Sequence, residues 1–227
     1  SNLNVAGGTF DLGGFNETLG SITGSGNITL GAGTLTTNST SNTTFSGLIS
    51  GTGGLTKNGT STLTLSGANT YSGATTISAG TLQLSNTSAL GSSSGLTLAN
   101  GSTLALSSNS AVTFTTPNAT MANGVTTTIG VNNFGTGSGS QLTMGNLTFS
   151  GGASNSAALN VTGGNGYSLS IPTLTLQHGG NFGPTFTINA SSANVSIGQL
   201  VYTFAAGQQF SLILDLSLIH ISEPTRQ

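Results

Sequence analysis

The chain has 227 residues, of which only 3% are charged, and its formal net charge is −2. A soluble domain of average composition carries roughly a quarter charged residues, and nucleic-acid binders present a basic footprint that is missing here. With 34% hydrophobic residues and almost no charge, ordinary disorder is excluded as well, because disorder couples low hydrophobicity to high charge.

Glu, Lys and Arg are nearly missing, while Thr, Val, Ile, Gly and Ser abound, so strands are expected and helices are not. No apolar run reaches the ~20 residues of a membrane helix. The absence of cysteine removes disulfides and thiolate metal sites. The first residues, Ser1-Asn2-Leu3-Asn4-Val5, carry neither an initiator Met nor a signal region, so the chain is expected to be a piece of a longer protein.

The recurring element is a triplet of two apolar residues around a polar one. It starts at Phe10-Asp11-Leu12 and Ile28-Thr29-Leu30, and returns at Leu63-Thr64-Leu65, Leu82-Gln83-Leu84 and Leu96-Thr97-Leu98. It continues through Val112-Thr113-Phe114, Leu142-Thr143-Met144, Leu147-Thr148-Phe149, Leu159-Asn160-Val161, Leu174-Thr175-Leu176, Phe186-Thr187-Ile188 and Val195-Ser196-Ile197. Period-two alternation puts both apolar residues on one side of a short strand. Between triplets lie Gly, Ser and Asn, with Asn-Gly pairs at Asn58, Asn100, Asn123 and Asn165, which suit turns with positive φ.

Many short strands with similar Gly-rich corners fit stacked rungs better than the varied loops of a sandwich. The fold expected is an all-β, single-stranded solenoid: a parallel β-helix whose rungs align like side chains into ladders. At roughly 20–25 residues per rung, residues 1–214 give about nine or ten rungs. A spacing of ~4.8 Å makes that a rod on the order of 45 Å long.

The segment from Gly51 to Leu84 carries GGLTK, the strand LTLSG, the turn ANTYSG and a closing AGTLQL. It resembles the autotransporter-associated β-strand repeat, also called the passenger-associated transport repeat, with the recognisable unit at about 45–84. Residues 10–47 resemble what commonly leads into that repeat, whereas residues 101–214 share only its texture. The resemblance implies a right-handed parallel β-helix from an autotransporter passenger, on the surface of a Gram-negative bacterium or released from it. It also implies a C-terminal outer-membrane barrel in the full-length protein. Lys57 matches a repeat position and is expected at a solvated rung corner. Tyr71, in the ANTYSG turn, is expected to cap the rung edge, with glycan stacking as its possible ligand contact.

Chemistry is scarce along the rest of the chain. Gly91-Ser92-Ser93-Ser94-Gly95 satisfies the nucleophile-elbow pattern but lacks a histidine, an acid and a following helix. Gly135 to Ser140 lacks the Lys of a phosphate loop and reads as a corner. His178, beside Gly179-Gly180, reads as a loop residue, since one histidine makes no metal site. Asp11 and Glu17 are the only carboxylates before Asp215, and no charged side chain occurs from 58 to 214.

From Asp215 the texture changes. Residues 215–227 hold three of the six charged residues, and Leu218 to Gln227 resembles translated adapter sequence, so this tail is expected to be non-native.

The function expected is a non-catalytic structural and adhesive surface module, with no catalytic, cofactor or metal residues and no nucleic-acid partner. Expected partners are further copies of the chain, or a host or glycan surface. The alternatives are a piece of a β-helical polysaccharide-active enzyme, which needs paired carboxylates, and a carbohydrate-binding surface protein, which needs aligned aromatics.

Overall fold

The computed structural model describes residues 1–122, 124–133, 135, 137–151, 156–178, 185–204, 211–216, 219–221 and 224–226. All regular elements among the described residues are β-strands, and neighbouring strands run parallel. The chain is a parallel β-helix. Its first face stacks ten strands in chain order, from Asn2–Val5 through Thr62–Leu65, Thr81–Leu84, Thr103–Ser107 and Thr126–Asn132 to Ser211–Leu216.

The second face begins with Thr9–Asp11, Asn27–Thr29 and Ile49–Ser50 and resumes at Val112–Thr113 and Gln141–Thr143. The third face runs from Glu17–Leu19 through Leu35–Asn38, Leu55–Asn58, Thr75–Ile77 and Leu96–Leu98 to Ala119–Ala122 and Leu147–Gly151. Further along, the second and third faces merge. The first half of Ser168–His178 pairs with Gln141–Thr143 and its second half with Leu147–Gly151. Pro172 marks the bend: it lacks an N–H to offer the ladder, and Gly198 stacks on it so closely that a Cβ there would lie 2.7 Å from the Pro172 carbonyl oxygen.

The rungs lengthen as far as Ala157–Gly163 and then shorten again, to 29 residues from Ala157 to Phe186 and 26 from Thr185 to Ser211. Asn2 stacks on Ser21 and Thr62 on Thr81, each a step of 19 residues, whereas Thr103 to Thr128 is 25 and Thr126 to Ala158 is 32. The triplets point where their alternation predicts. Leu63, Leu65, Leu82, Leu84, Leu96 and Leu98 are buried, as are Leu147, Phe149, Leu174, Leu176, Phe186 and Ile188, and only Phe10 and Val112 remain partly covered. Stacking them takes apolar area out of water on all three faces at once, and this burial drives folding.

Corners of the short rungs are built from backbone contact. Gly33, Gly53 and Gly73 form one column and Gly26, Gly47 and Gly67 another. A Cβ on Gly53 would sit on the Gly33 carbonyl oxygen, and one on Gly47 on that of Gly26. These glycines are needed for closeness and not for φ, since none of the six has positive φ. Elsewhere the Asn-Gly turns behave as their chemistry predicts: Gly59 has φ 78°, and Asn165 and Gly166 adopt 54° and 75°. Asn123 lies outside the described residues.

Two expectations meet a different structure. Lys57 is not at a solvated corner. It is the inward third residue of Leu55-Thr56-Lys57, stacked between Thr37 and Ile77, and 1% exposed. His178 is not in a loop, because its backbone closes the strand Ser168–His178, although Gly179 and Gly180 lie outside the described residues. At the far end, Ser211–Leu216 pairs with Thr185–Ala190, with Asp215 opposite Asn189, and Ile219–Ile221 and Pro224–Arg226 both pair with Asn194–Phe204.

Candidate functional site

Polar chemistry collects in two places, one inside the helix and one outside. The inner cluster arises where the second face has no strand for two rungs. There the Asn69 side chain stands in for it. Its Oδ1 accepts from the Ile49 N–H at 2.7 Å and its Nδ2 donates to the Ala89 carbonyl at 2.6 Å, so one amide bridges the rungs above and below. Both ends of a short amide are used, which a backbone segment would otherwise have to supply.

Two residues on, Tyr71 turns its ring into the core and is 0% exposed. Its hydroxyl lies 2.7 Å from Thr75 Oγ1, which lies 3.0 Å from Ser93 Oγ, and Ser93 in turn donates to the carbonyls of Gly73 and Gly95. Burial pushes the Tyr71 hydroxyl well above its ordinary range, with the Thr75 bond opposing this. The ring therefore has no free face for a sugar in this arrangement. Ser93 is the central serine of Gly91 to Gly95. It is 7% exposed, its bonds go to Thr75 and two carbonyls, and nothing that could act as a base is among its partners.

Lys57 completes this interior. Its Nζ donates to the carbonyl oxygens of Asn58, Gly59 and Ala79 at 2.9, 2.9 and 3.2 Å. The ammonium so joins the Asn58-Gly59 turn to the corresponding corner of the next rung. Removal from water pushes its pKa below the ordinary lysine value. Period-two reading of Leu-Thr-Lys against Leu-Thr-Leu would have placed Lys57 inward, but its charge argued for solvent. Asn69, Thr75 and Ser93 had no such signal, because polar residues in a Ser/Thr/Asn-rich chain look alike.

Outside, two surfaces differ from the rest. On the third face the outward centre is a single file of threonines: Thr18, Thr36, Thr56, Thr76, Thr97, Thr120, Thr148 and Thr175, each in register with the next. Thr–Thr neighbours favour a parallel pleat, and each presents a hydroxyl and a methyl to solvent.

On the first face, the central file reads Thr44, Thr64, Gln83, Ala105, Gly130 and Thr162. Side chains shrink at Ala105 and Gly130, and the surface sinks into an open trough of about 390 Å³. Thr81 and Thr103 border one side and Ser107, Asn132 and Asn133 the other. Gln83 is held across one end by a bond from Thr64 Oγ1 and one to Ser107 Oγ. The sequence signal was present: Leu104-Ala105-Leu106 and Ile129-Gly130-Val131 keep the triplet but lose its polar centre.

Asp11 and Glu17 are exposed near the first rungs, where Asp11 Oδ1 accepts from the Gly13 N–H at 2.9 Å. Among the described residues no group of three or more metal-ligating side chains gathers.

Residues 55–84 match the family described as the passenger-associated-transport-repeat. They span Leu55–Asn58, Thr62–Leu65, Thr75–Ile77 and Thr81–Leu84, and so include Lys57, Asn69, Tyr71 and Thr75 of the inner cluster. No curated protein matches the chain, and no solved structure does.

Proposed function

We propose, from the passenger-associated transport repeat at residues 55–84, that this chain is a non-catalytic structural and adhesive module. It would form a β-helical stalk of an autotransporter passenger, displayed on or released from a Gram-negative cell. In the full-length protein an outer-membrane barrel would follow. The observation that carries the reading is the placement of the matched segment. Its inward polar side chains join rungs: Asn69 and Lys57 by their own bonds, and Tyr71 and Thr75 by a chain that ends on Ser93 of the next rung. These inward groups are occupied in stacking, and the segment's outward ones are the uncharged Thr56, Thr76, Thr81 and Gln83.

What the rod offers to its surroundings is uncharged hydroxyls, amides and methyls along the threonine file and the first-face trough. Such a surface attracts its own copies without charge repulsion and meets neutral partners through hydrogen bonds. Its expected contacts are other copies of the rod and glycan-coated surfaces, with no nucleic acid.

The test displays the whole chain between a signal peptide and an outer-membrane barrel on a Gram-negative host. Protease shaving of intact cells should release the rod, and the cells should settle together or adhere to glycan-coated plates. A rod that stays protease-protected inside the cell would remove the passenger role. Displayed rods that neither cluster nor adhere would remove the adhesive one. Hydrolysis of a polysaccharide by the purified rod would overturn the non-catalytic reading.

A further inference from the structure

We infer that the trough on the first face is a binding site for a linear, uncharged polysaccharide, lying along the axis of the rod. This rests on the adhesive reading above and assigns that activity a place and a ligand class. Gly130 carries the argument. A glycine inside a strand weakens it, and it is found where the chain bulges, where another backbone comes close, where φ is positive, or where a ligand approaches.

The structure removes the first three explanations. Thr128, Ile129 and Gly130 pair in unbroken register with Thr103, Leu104 and Ala105 on one side and Asn160, Val161 and Thr162 on the other, so there is no bulge. Its φ is not positive. A Cβ built on it would meet nothing nearer than Thr162 Oγ1 at 3.5 Å and the Ala105 Cβ at 3.9 Å, which are ordinary contacts. A threonine would fit and continue the file, yet the position is bare. Open space above it is what remains.

A second observation points the same way. Ser107 lines the trough, is 4% exposed and is bonded to the Gln83 amide, which fixes a hydroxyl and an amide together at the edge of the trough. The Thr81, Thr103 and Thr162 hydroxyls make no bond to another described residue and face the trough's solvent, while Gln83 and Asn133 are held in place by bonds to their neighbours. The rim thus combines fixed amides with free hydroxyls.

The ligand class follows from this chemistry. The floor of one methyl and one bare Cα suits the C–H face of a sugar ring, and the rim suits its hydroxyls. No charged residue occurs from 58 to 214, so nothing selects an acidic or basic ligand. The lining runs from Thr62 to Gly164 over five rungs, roughly 19 Å at β spacing, which favours a chain over a single sugar. The volume of about 390 Å³ lies within the ordinary range for ligand sites of roughly 300–1,000 Å³.

The experiment measures binding of the purified full chain to a panel of hexasaccharides from β-1,4-glucan, α-1,4-glucan, xylan and mannan, with oligogalacturonate as the acidic control. At least one neutral oligomer should bind and the acidic one should not. Gly130→Thr should weaken binding at least tenfold while its urea midpoint stays at or above that of the wild type. Thr103→Val, which keeps shape and removes a rim hydroxyl, should weaken it severalfold.

Binding that survives Gly130→Thr unchanged would overturn the trough assignment while leaving an adhesive rod intact. If no neutral oligomer binds although displayed cells still adhere, the glycan inference fails by itself. If the cells adhere to nothing, the adhesive reading fails with it.

Discussion

Gly53→Ala is the sharpest test of the corner architecture, because a single methyl is set against stacked backbone. The added Cβ would land on the Gly33 carbonyl oxygen, 2.8 Å from its carbon and 3.0 Å from the Gly33 nitrogen. Rotation of a flexible neighbour cannot relieve this, since all three contacts are main chain. Nor can the rung slide outward freely. Gly53 N–H donates to Gly31 and Gly53 accepts from Gly73 at 3.1 Å, while Thr52 and Ser72 N–H groups donate to Gly31 and Gly51. Overpacking costs about 1–3 kcal/mol, and each backbone bond lost with the shift adds about 1 kcal/mol. Two lost bonds make a total of about 3–5 kcal/mol, a large part of the ~5–15 kcal/mol that holds a typical domain.

The control is Gly95→Ala on the same third-face side of the rod. A Cβ on Gly95 has nothing within 4 Å and its φ is not positive, so alanine should stabilise by about 0.4–1 kcal/mol through the unfolded chain. Urea unfolding followed by far-ultraviolet circular dichroism reads both. A Gly53→Ala midpoint within 1 kcal/mol of wild type at unchanged m-value would refute the view that these corners need direct backbone contact. So would a Gly95→Ala variant as damaged as Gly53→Ala.

The inner cluster gives three further expectations. Asn69→Ala leaves the Ile49 N–H and the Ala89 carbonyl without their bridge and should cost about 2–5 kcal/mol, seen as a lowered Tm. Tyr71→Phe keeps the ring and leaves Thr75 bonded to Ser93, so its loss should be only about 1 kcal/mol, and a larger loss would mean the phenol does more than its one bond shows. Lys57→Met should cost about 1–3 kcal/mol at pH 7 by stripping three carbonyls of their donor. It should also flatten the pH profile. The folded-state pKa of Lys57 lies below the ordinary 10.5, so between the two values the unfolded chain holds more protons and wild-type stability rises with pH. Tyr71, raised above 10.0, acts with the opposite sign once the unfolded phenol ionises, so urea midpoints are compared from pH 7 to just below 10. A wild-type profile parallel to that of Lys57→Met across this range would count against the buried ammonium.

Alternation made most of the fold legible. Each Leu-Thr-Leu unit commits its outer residues to the core because a strand has two sides, and similar corners then favour stacking over a sandwich. What stayed hidden depends on partners about 20 residues away. Gly47 and Gly53 look like turn glycines in sequence, yet their φ is ordinary and their demand is for another rung's carbonyl. Asn69 looks like a turn residue and acts as a missing strand. Tyr71 was expected at the edge, but nothing local reveals that Thr75 and Ser93 supply a buried path for its hydroxyl. Lys57 was misplaced because burial of a lysine requires three carbonyls brought together by two corners, which no local window contains.

The trough belongs to the part of the helix where the rungs grow. The step from Thr62 to Thr81 is 19 residues and that from Thr126 to Ala158 is 32, and the strands lengthen from four residues at Thr62–Leu65 to seven at Thr126–Asn132. That added length carries the sheet past the shorter rungs and supplies Asn132, Asn133, Gly163 and Gly164, one whole wall of the depression. In a solenoid each rung contacts only its neighbours, so one end can widen while the corners of another keep their spacing. Stacking and recognition are then separable within one chain. Gly53 is bare because another backbone occupies its space, whereas Gly130 is bare with its space empty. A methyl should therefore be ruinous at the first position, while a whole threonine side chain at the second should leave the fold standing and close the trough.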